Sequence, residues 1–425
     1  MSASAPANAA PTWRLFHSRS AVLVLALALL LGAVLRLLFN NQPFPTSDHA
    51  ETAAIATFFY PRSLDALIPS GRSVWQIFTA VHGILPPFIG MAVTTLAGLL
   101  GIPITEFVWN LPFVLIHLSS LPLAALLISR LGSGRGGMIA AFFLAVLPIH
   151  IALSRASGVT HTPLNTLCQM ITIVLLVRYV AQPTPRRARH AGLALSINLL
   201  TDQLFPLLFV LVFGTIFLAL HRDEEPPTRA ALWRRLWRTR TLATDTNLLL
   251  GPLLVVSLHM VTLALHGAGL LEAGGIATRL FAGSDRQPGV FLAAFWGNAT
   301  YVVGSIVFIA LLVLAAVRLP DLFRLRPEAI PLFWGLLYLL PFLVFTRPQV
   351  FELFLLGIAP LLLNAAGVLG QWWDGRTWRR PVAMVATGVL FVLLSARALS
   401  LVFAVDGLPF VERGSRSGRS ILKRD

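Results

Sequence analysis

Residues 21–39 read AVLVLALALLLGAVLRLLF, an apolar run whose single charge is Arg36. A helix needs about 20 such residues to cross the hydrocarbon core of a bilayer. Arg14 and Arg19 stand just before the run. A secretory signal would have a shorter apolar core and a small-residue cleavage site. The stretch therefore reads as a retained first span with its basic flank inside. Comparable runs recur along the chain.

Composition agrees with that reading. Of 425 residues 56% are hydrophobic and 12% charged, whereas a soluble domain carries roughly 25% charged residues. The mean hydropathy is +0.77. A soluble enzyme of this composition would leave much apolar surface in water. Cys168, the single cysteine, lies inside an apolar run, which excludes disulfide scaffolds and metal-finger modules. The net charge of +15 would suggest nucleic acid in a soluble chain. Here the basic residues fall between apolar runs, so orientation and anionic membrane lipid account for them and no nucleic-acid partner is expected. All of the 33 basic residues except Lys423 are arginine. Schiff-base chemistry within the spans is thereby excluded, and anions must be held by Arg, His or backbone amides. The planar guanidinium can bond two phosphate oxygens at once.

The expected architecture is an all-α polytopic bundle of about eleven spans. A long first extracytoplasmic loop, 40–106, carries surface helices at 50–60 and 74–80. The run 82–100 is broken by Pro86, Pro87 and Gly90 and reads as re-entrant or interfacial. Further spans are expected at 108–129, 137–153, 162–180, 191–202, 205–220, 248–270, 289–317, 330–346, 352–371 and 382–404. The pair within 191–220 consists of two short spans meeting near Asp202 and Pro206. Residues 221–246 form a basic amphipathic segment on the inner surface, with Trp233 and Trp237 on one face. Segments placed inside are rich in arginine, as in Arg186, Arg187 and Arg189 or Arg234, Arg235, Arg238 and Arg240. Those placed outside up to residue 352 hold only Arg62, Arg72, Arg155, Arg279, Arg286 and Arg347. This asymmetry puts the N-terminus in the cytoplasm. The basic tail, Arg413 to Arg424, lands outside on an eleven-span count and breaks the rule. The chain divides into a catalytic module, 1–320, and C-terminal helices with the tail, 321–425.

Three outer loops hold the polar residues. In the first, Asp48 and Glu51 are three apart and share a face if helical. That spacing also suits a helix cap, with Glu51 reaching back from the third position. In the second, Arg155 and His161 flank Gly158; Arg155 snorkelling to headgroups and His161 capping the next helix would serve equally. The third is the short turn containing Arg347. One arginine from each of several sparse outer loops could hold a phosphate. His82, before the broken run, is either a donor-side ligand or a hydrogen bonder at a helix end.

The order of several fragments resembles a known family: His82-x-x-x-Pro86-Pro87, then Arg130-Leu131-Gly132-x-x-Arg135-Gly136, then Leu147-Pro148 and, after five intervening residues, Ser154-Arg155. They resemble the GT-C glycosyltransferases, in particular the protein O-mannosyltransferases and aminoarabinose transferases. The similarity covers residues 20–220, and more weakly 330–370. It implies inverting transfer of a sugar from a polyprenyl-phosphate donor to a glycan, lipid or protein acceptor at the extracytoplasmic face of a bacterial inner membrane. Asp48 takes the place of the family's acidic residue in the first loop. His49 stands where the family commonly has Glu, so Glu51 becomes the second carboxylate. Thr160 and His161 occupy the region where the family often has an Asp, which leaves a divalent metal open. The donor phosphate falls to Arg155 and Arg347, with His82 and His161 beside them.

Two other classes fit the same sequence. A secondary transporter or lipid flippase would line its path with intramembrane groups such as Arg36, Asp202, His259 and His266. A catalytically inactive subunit with the same fold would retain the spans and lack the chemistry.

Overall fold

The computed structural model describes residues 18–38, 85–103, 105–155, 161–182, 184–201, 242–265, 288–324, 326–345, 354–375 and 377–402. Every regular element among them is helical. In chain order they are α1 (Arg19–Leu37), α2 (Leu85–Leu99), α3 (Glu106–Leu118), α4 (Ser120–Leu131), α5 (Gly134–Ala145), α6 (Pro148–Arg155) and α7 (His161–Ala181). They continue with α8 (Pro185–Thr201), α9 (Leu242–Leu265), α10 (Pro288–Val303), α11 (Ser305–Phe323), α12 (Ile330–Phe345), α13 (Phe354–Asp374) and α14 (Arg379–Val402). A 3₁₀ turn, Pro327–Ala329, leads into α12.

Among the described residues, five helical stretches are long and apolar enough to cross a membrane: α1, Asn110–Leu131 (α3 running into α4), α11, Leu355–Asp374 and Arg379–Ser400. A sixth arises if α5 and α6 count as one span bent by 55°. The described residues therefore account for about half of the expected crossings. Residues 39–84, where the two surface helices are expected, the segment 205–220, most of the inner amphipathic stretch and the C-terminal tail lie outside the described residues, whereas the broken run within the first loop forms α2.

Helix α13 is the hub. Of its apolar window 83% is buried, against 22% for α14 and 28% for α1. It packs against α4, α5, α7, α11, α12 and α14. Leu355, Leu356, Ile358, Leu361, Leu362 and Leu363 have almost no exposed surface. A helix apolar on all faces belongs in the middle of a bundle. By contrast α14 exposes Val382, Val385, Val389 and Val392, a face suited to lipid.

Lipid is as apolar as leucine, so packing inside a membrane depends on close van der Waals approach at small residues. Glycines supply it in two places. A Cβ on Gly370 of α13 would run into the backbone N and Cα of Gly136 on α5. A Cβ on Gly192 of α8 would stand 2.5 Å from the Leu248 carbonyl oxygen of α9. Polar side chains complete one end of the bundle. Ser133 caps α5 by accepting from the Gly136 N–H at 2.9 Å, and its hydroxyl donates to Asp374 at 2.8 Å. Arg318 of α11 donates to Gln371 at 2.9 Å and Asp321 at 3.1 Å. Arg135 reaches Asp374 at 3.0 Å with both side chains about half exposed, so that pair adds little stability.

Two expected spans differ in the structure. The 137–153 span is bent where Leu147-Pro148 interrupts it, since proline removes a donor and clashes with the preceding turn. The 289–317 span breaks at Gly304 (φ 87°) into α10 and α11, of which α11 is long enough to cross by itself.

The Gly370–Gly136 contact sets a test. Gly370→Val is expected to destabilise the detergent-solubilised protein by about 1–3 kcal/mol or more. Gly388→Ala, where a Cβ meets nothing within 4 Å, should leave it unchanged. Equal melting temperatures for the two variants would rule out the close approach of α5 and α13.

Candidate functional site

Of the residues expected to carry chemistry, Asp48, Glu51, His82 and Arg347 lie outside the described residues. Arg155 is the last residue of α6 and His161 the first of α7. What the structure does place is the set of helix ends from which these residues continue. Two buried polar clusters fix those ends.

The first joins α1, α3, α4, α5 and α6. Arg36, one residue before the end of α1, has no exposed surface. Its Nη1 donates to the carbonyl oxygens of Gly32 at 3.0 Å and Ala145 at 2.9 Å. Its Nη2 donates to the Leu144 carbonyl at 3.2 Å and meets His150 Nδ1 at 2.7 Å. Leu144 and Ala145 end α5, whose last carbonyls lose their helical partners at the break before Pro148. A cation at a helix C-terminus also faces the negative end of the helix dipole. Arg36 is thus the cap of a broken transmembrane helix. On the other side of the imidazole, His150 Nε2 lies 3.3 Å from the Ser120 hydroxyl, which donates to the His117 carbonyl at 2.5 Å. The His117 ring stands edge-on to His150, with centroids 5.9 Å apart. Arg36 is wholly enclosed by these partners. His259 is on α9, and Asp202 and His266 lie outside the described residues.

The second cluster joins α7 to α12. Trp334 Nε1 donates to Gln169 Oε1 at 2.7 Å. Indole N–H can only donate, so the Gln169 amide is oriented with its nitrogen on the other side. That nitrogen donates to Asn165 Oδ1 at 2.9 Å and to the Tyr338 hydroxyl. Asn165 lies toward the His161 end of α7, and Tyr338 stands at the middle of α12. The two helices run antiparallel: Arg178 near the end of α7 lies in the field of Arg130 at the end of α4, and Glu328 just before α12 lies against Gly132 at that same end, so the Phe345 end of α12 is on the His161 side.

Together the clusters align the C-terminal ends of α1, α6 and α12 with the N-terminal end of α7. The opposite end of the bundle holds the polar group of Ser133, Arg318, Gln371 and Asp374, beside the start of α12 and the end of α13. The sequence reading noted Arg36 but missed His117, Ser120, His150 and Gln169. All four sit inside apolar runs, and an intramembrane polar residue is itself a signal. Among the described residues no group of three or more His, Cys, Asp or Glu could hold a metal ion.

No family model matches the chain, and no curated protein is similar to it in sequence. Solved structures are similar in shape. An oligosaccharyltransferase of Archaeoglobus fulgidus, crystallised with zinc and sulfate, superposes with a TM-score of 0.53 at 13% identity, over 88% of this chain and 53% of that one. The likeness is one of fold. The same archaeal protein tethered through a disulfide to an acceptor peptide containing the NVT sequon gives a TM-score of 0.54 at 13% identity, over 90% and 56% of the two chains. Its apo form gives 0.53 at 12% identity, over 91% and 56%. The chain spans about half the length of the neighbour it matches.

The amide cluster sets a second test. Gln169→Leu leaves the buried Trp334 N–H without an acceptor, at an expected cost of about 1–3 kcal/mol. Thermal melting in detergent measures this directly. An unchanged midpoint would show that the amide does not join α7 to α12.

Proposed function

We propose that the chain is a membrane glycosyltransferase of GT-C type. It moves a sugar, with inversion, from a polyprenyl-phosphate donor to a glycan, lipid or protein acceptor at the extracytoplasmic face. The observation carrying this reading is the alignment of four helix ends within a GT-C fold. The chain after α1 leads to Asp48 and Glu51, α6 ends in Arg155, α7 begins with His161, and α12 leads to Arg347. Leu38 and Asp48 are ten residues apart, a reach of at most about 35 Å, so the carboxylates can return over the ends of α6 and α7.

The reaction asks little of the leaving group. Asp48 takes the acceptor's proton as its oxygen or nitrogen attacks the anomeric carbon. The bond from that carbon to the phosphate oxygen breaks, and polyprenyl phosphate leaves as a stable anion. Arg155 and Arg347 stabilise the developing charge with paired N–H donors. Glu51 supplies the second carboxylate, and His82 and His161 assist at the phosphate. The apolar surface between helices suits the prenyl tail. The arginine-rich end, with Arg130, Arg135, Arg318 and Arg326, faces the cytoplasm of a bacterial inner membrane, and the N-terminus lies on that side. The peptide acceptor of the archaeal neighbour supports a protein or glycan acceptor here.

The test is reconstitution in liposomes with labelled polyprenyl-phosphate sugars and extracted cell-envelope acceptors. Wild type should form product. Asp48→Asn should lose about 10²-fold or more in rate while still inserting and folding. Arg155→Ala and Arg347→Ala should each lose about 10²-fold. Full activity of Asp48→Asn would remove the carboxylate from the mechanism. Movement of labelled donor across the bilayer without product would support a flippase instead.

A further inference from the structure

We infer that Arg36 and His150 are a positioning pair for the transfer site, holding α6, which ends in Arg155, in register with the end of α1. This rests on the glycosyltransferase reading for its chemistry, though not for its geometry.

The hydrogen bonds admit one arrangement. A guanidinium has five N–H groups and no acceptor. Four of the five are used, on the carbonyls of Gly32, Leu144 and Ala145 and on His150 Nδ1. Since arginine only donates, His150 Nδ1 accepts, and the ring proton sits on Nε2. From there it points to the Ser120 hydroxyl, whose own hydrogen goes to the His117 carbonyl. The bonds run in one direction from α1 through α6 to the junction of α3 and α4. Turning the imidazole or moving α6 breaks the bond at 2.7 Å and leaves a buried charge short of an acceptor, at a cost of several kcal/mol.

Stability alone does not require this arrangement. A buried charge is commonly no better than well-packed apolar groups of the same volume. What the pair adds is direction at a hinge. Helix α6 has eight residues and leaves α5 at 55°, so α5 does not continue into it and fix its course. Arg36 grips both sides of that bend, taking the last carbonyls of α5 and the third residue of α6. It is also one residue from the end of α1, beyond which the chain leads to Asp48. Five residues past His150 is Arg155. The course of α6, and with it the place of Arg155 at its end, is thus set through this contact. Displacement of about 1 Å at a reacting centre can cost 10²-fold in rate.

Three variants separate positioning from support. His150→Leu removes the acceptor and nearly keeps the volume. His150→Asn keeps an acceptor oxygen close to the place of Nδ1. Arg36→Lys keeps the charge, but three donors cannot serve four acceptors. In liposomes, His150→Leu and Arg36→Lys should lower kcat by about 10²-fold with KM for the lipid-linked sugar little changed. His150→Asn should recover most of the loss. The same variants are to be spin-labelled at Leu38→Cys and Ala152→Cys in a Cys168→Ala background, and dipolar broadening recorded. The parent and His150→Asn should show one short separation, whereas His150→Leu should show a wider spread. If the parent forms no glycosyl product, the enzyme reading fails while the spin-label result still decides the contact. An unchanged separation in His150→Leu, or a kcat loss in His150→Leu that His150→Asn does not recover, would overturn the positioning role.

Discussion

A guanidinium with no carboxylate beside it among the described residues, and no access to water, holds together the part of this molecule from which its candidate chemistry extends. Burying Arg36 is costly unless nearly every N–H finds an acceptor, and the acceptors come from a defect in a neighbouring helix. Pro148 ends the hydrogen-bonding ladder of α5, and the carbonyls of Leu144 and Ala145 accept from Arg36. Each irregularity satisfies the other. An unbroken α5 would take away two of the arginine's four acceptors, and an apolar residue at 36 would leave the Ala145 carbonyl unpaired in hydrocarbon. The bend and the charge therefore require one another.

The same economy appears elsewhere in the bundle. Arg397 of α14 donates through Nε and Nη2 to the Tyr301 carbonyl at 3.2 and 2.6 Å, just before the break at Gly304. Gln169 occupies both sides of its amide with α12 partners. Between these points, glycine contacts such as Gly370 on Gly136 allow backbones to meet. The result is a bundle organised around α13, rigid where helices cross and irregular where arginines or amides can absorb the unpaired groups.

Much of the fold was legible in the sequence because hydrocarbon imposes a simple rule on length and polarity. Helix α1, the 108–129 crossing, α12, α13 and α14 fall within a few residues of their expected limits. The breaks were less visible. Leu147-Pro148 was quoted for a family likeness and not read as a bend. Residues 289–317 read as one crossing, although at 1.5 Å per residue they exceed 40 Å, too long for a core of about 30 Å. Arg36 stood out as an isolated charge, yet sequence alone offered no partner. His150 lies more than a hundred residues away, and its pairing depends on a bend that periodicity does not register. Four of the six residues expected to carry the chemistry fall outside the described part of the chain, so only the framework that aims them could be read.

The central claim is that the segments carrying Asp48, Arg155 and Arg347 open onto one face of the membrane, opposite the arginine-rich end. Cysteine labelling tests it most directly. In a Cys168→Ala background, single cysteines at Ser47, Ser157 and Thr346, with Gln182 as the opposite-face control, would be exposed to an impermeant maleimide on intact spheroplasts. The account requires that the first three react at once and that Gln182→Cys reacts only after permeabilisation. Protection of any of the three until the membrane is opened would place that segment on the other side and contradict a shared reaction centre.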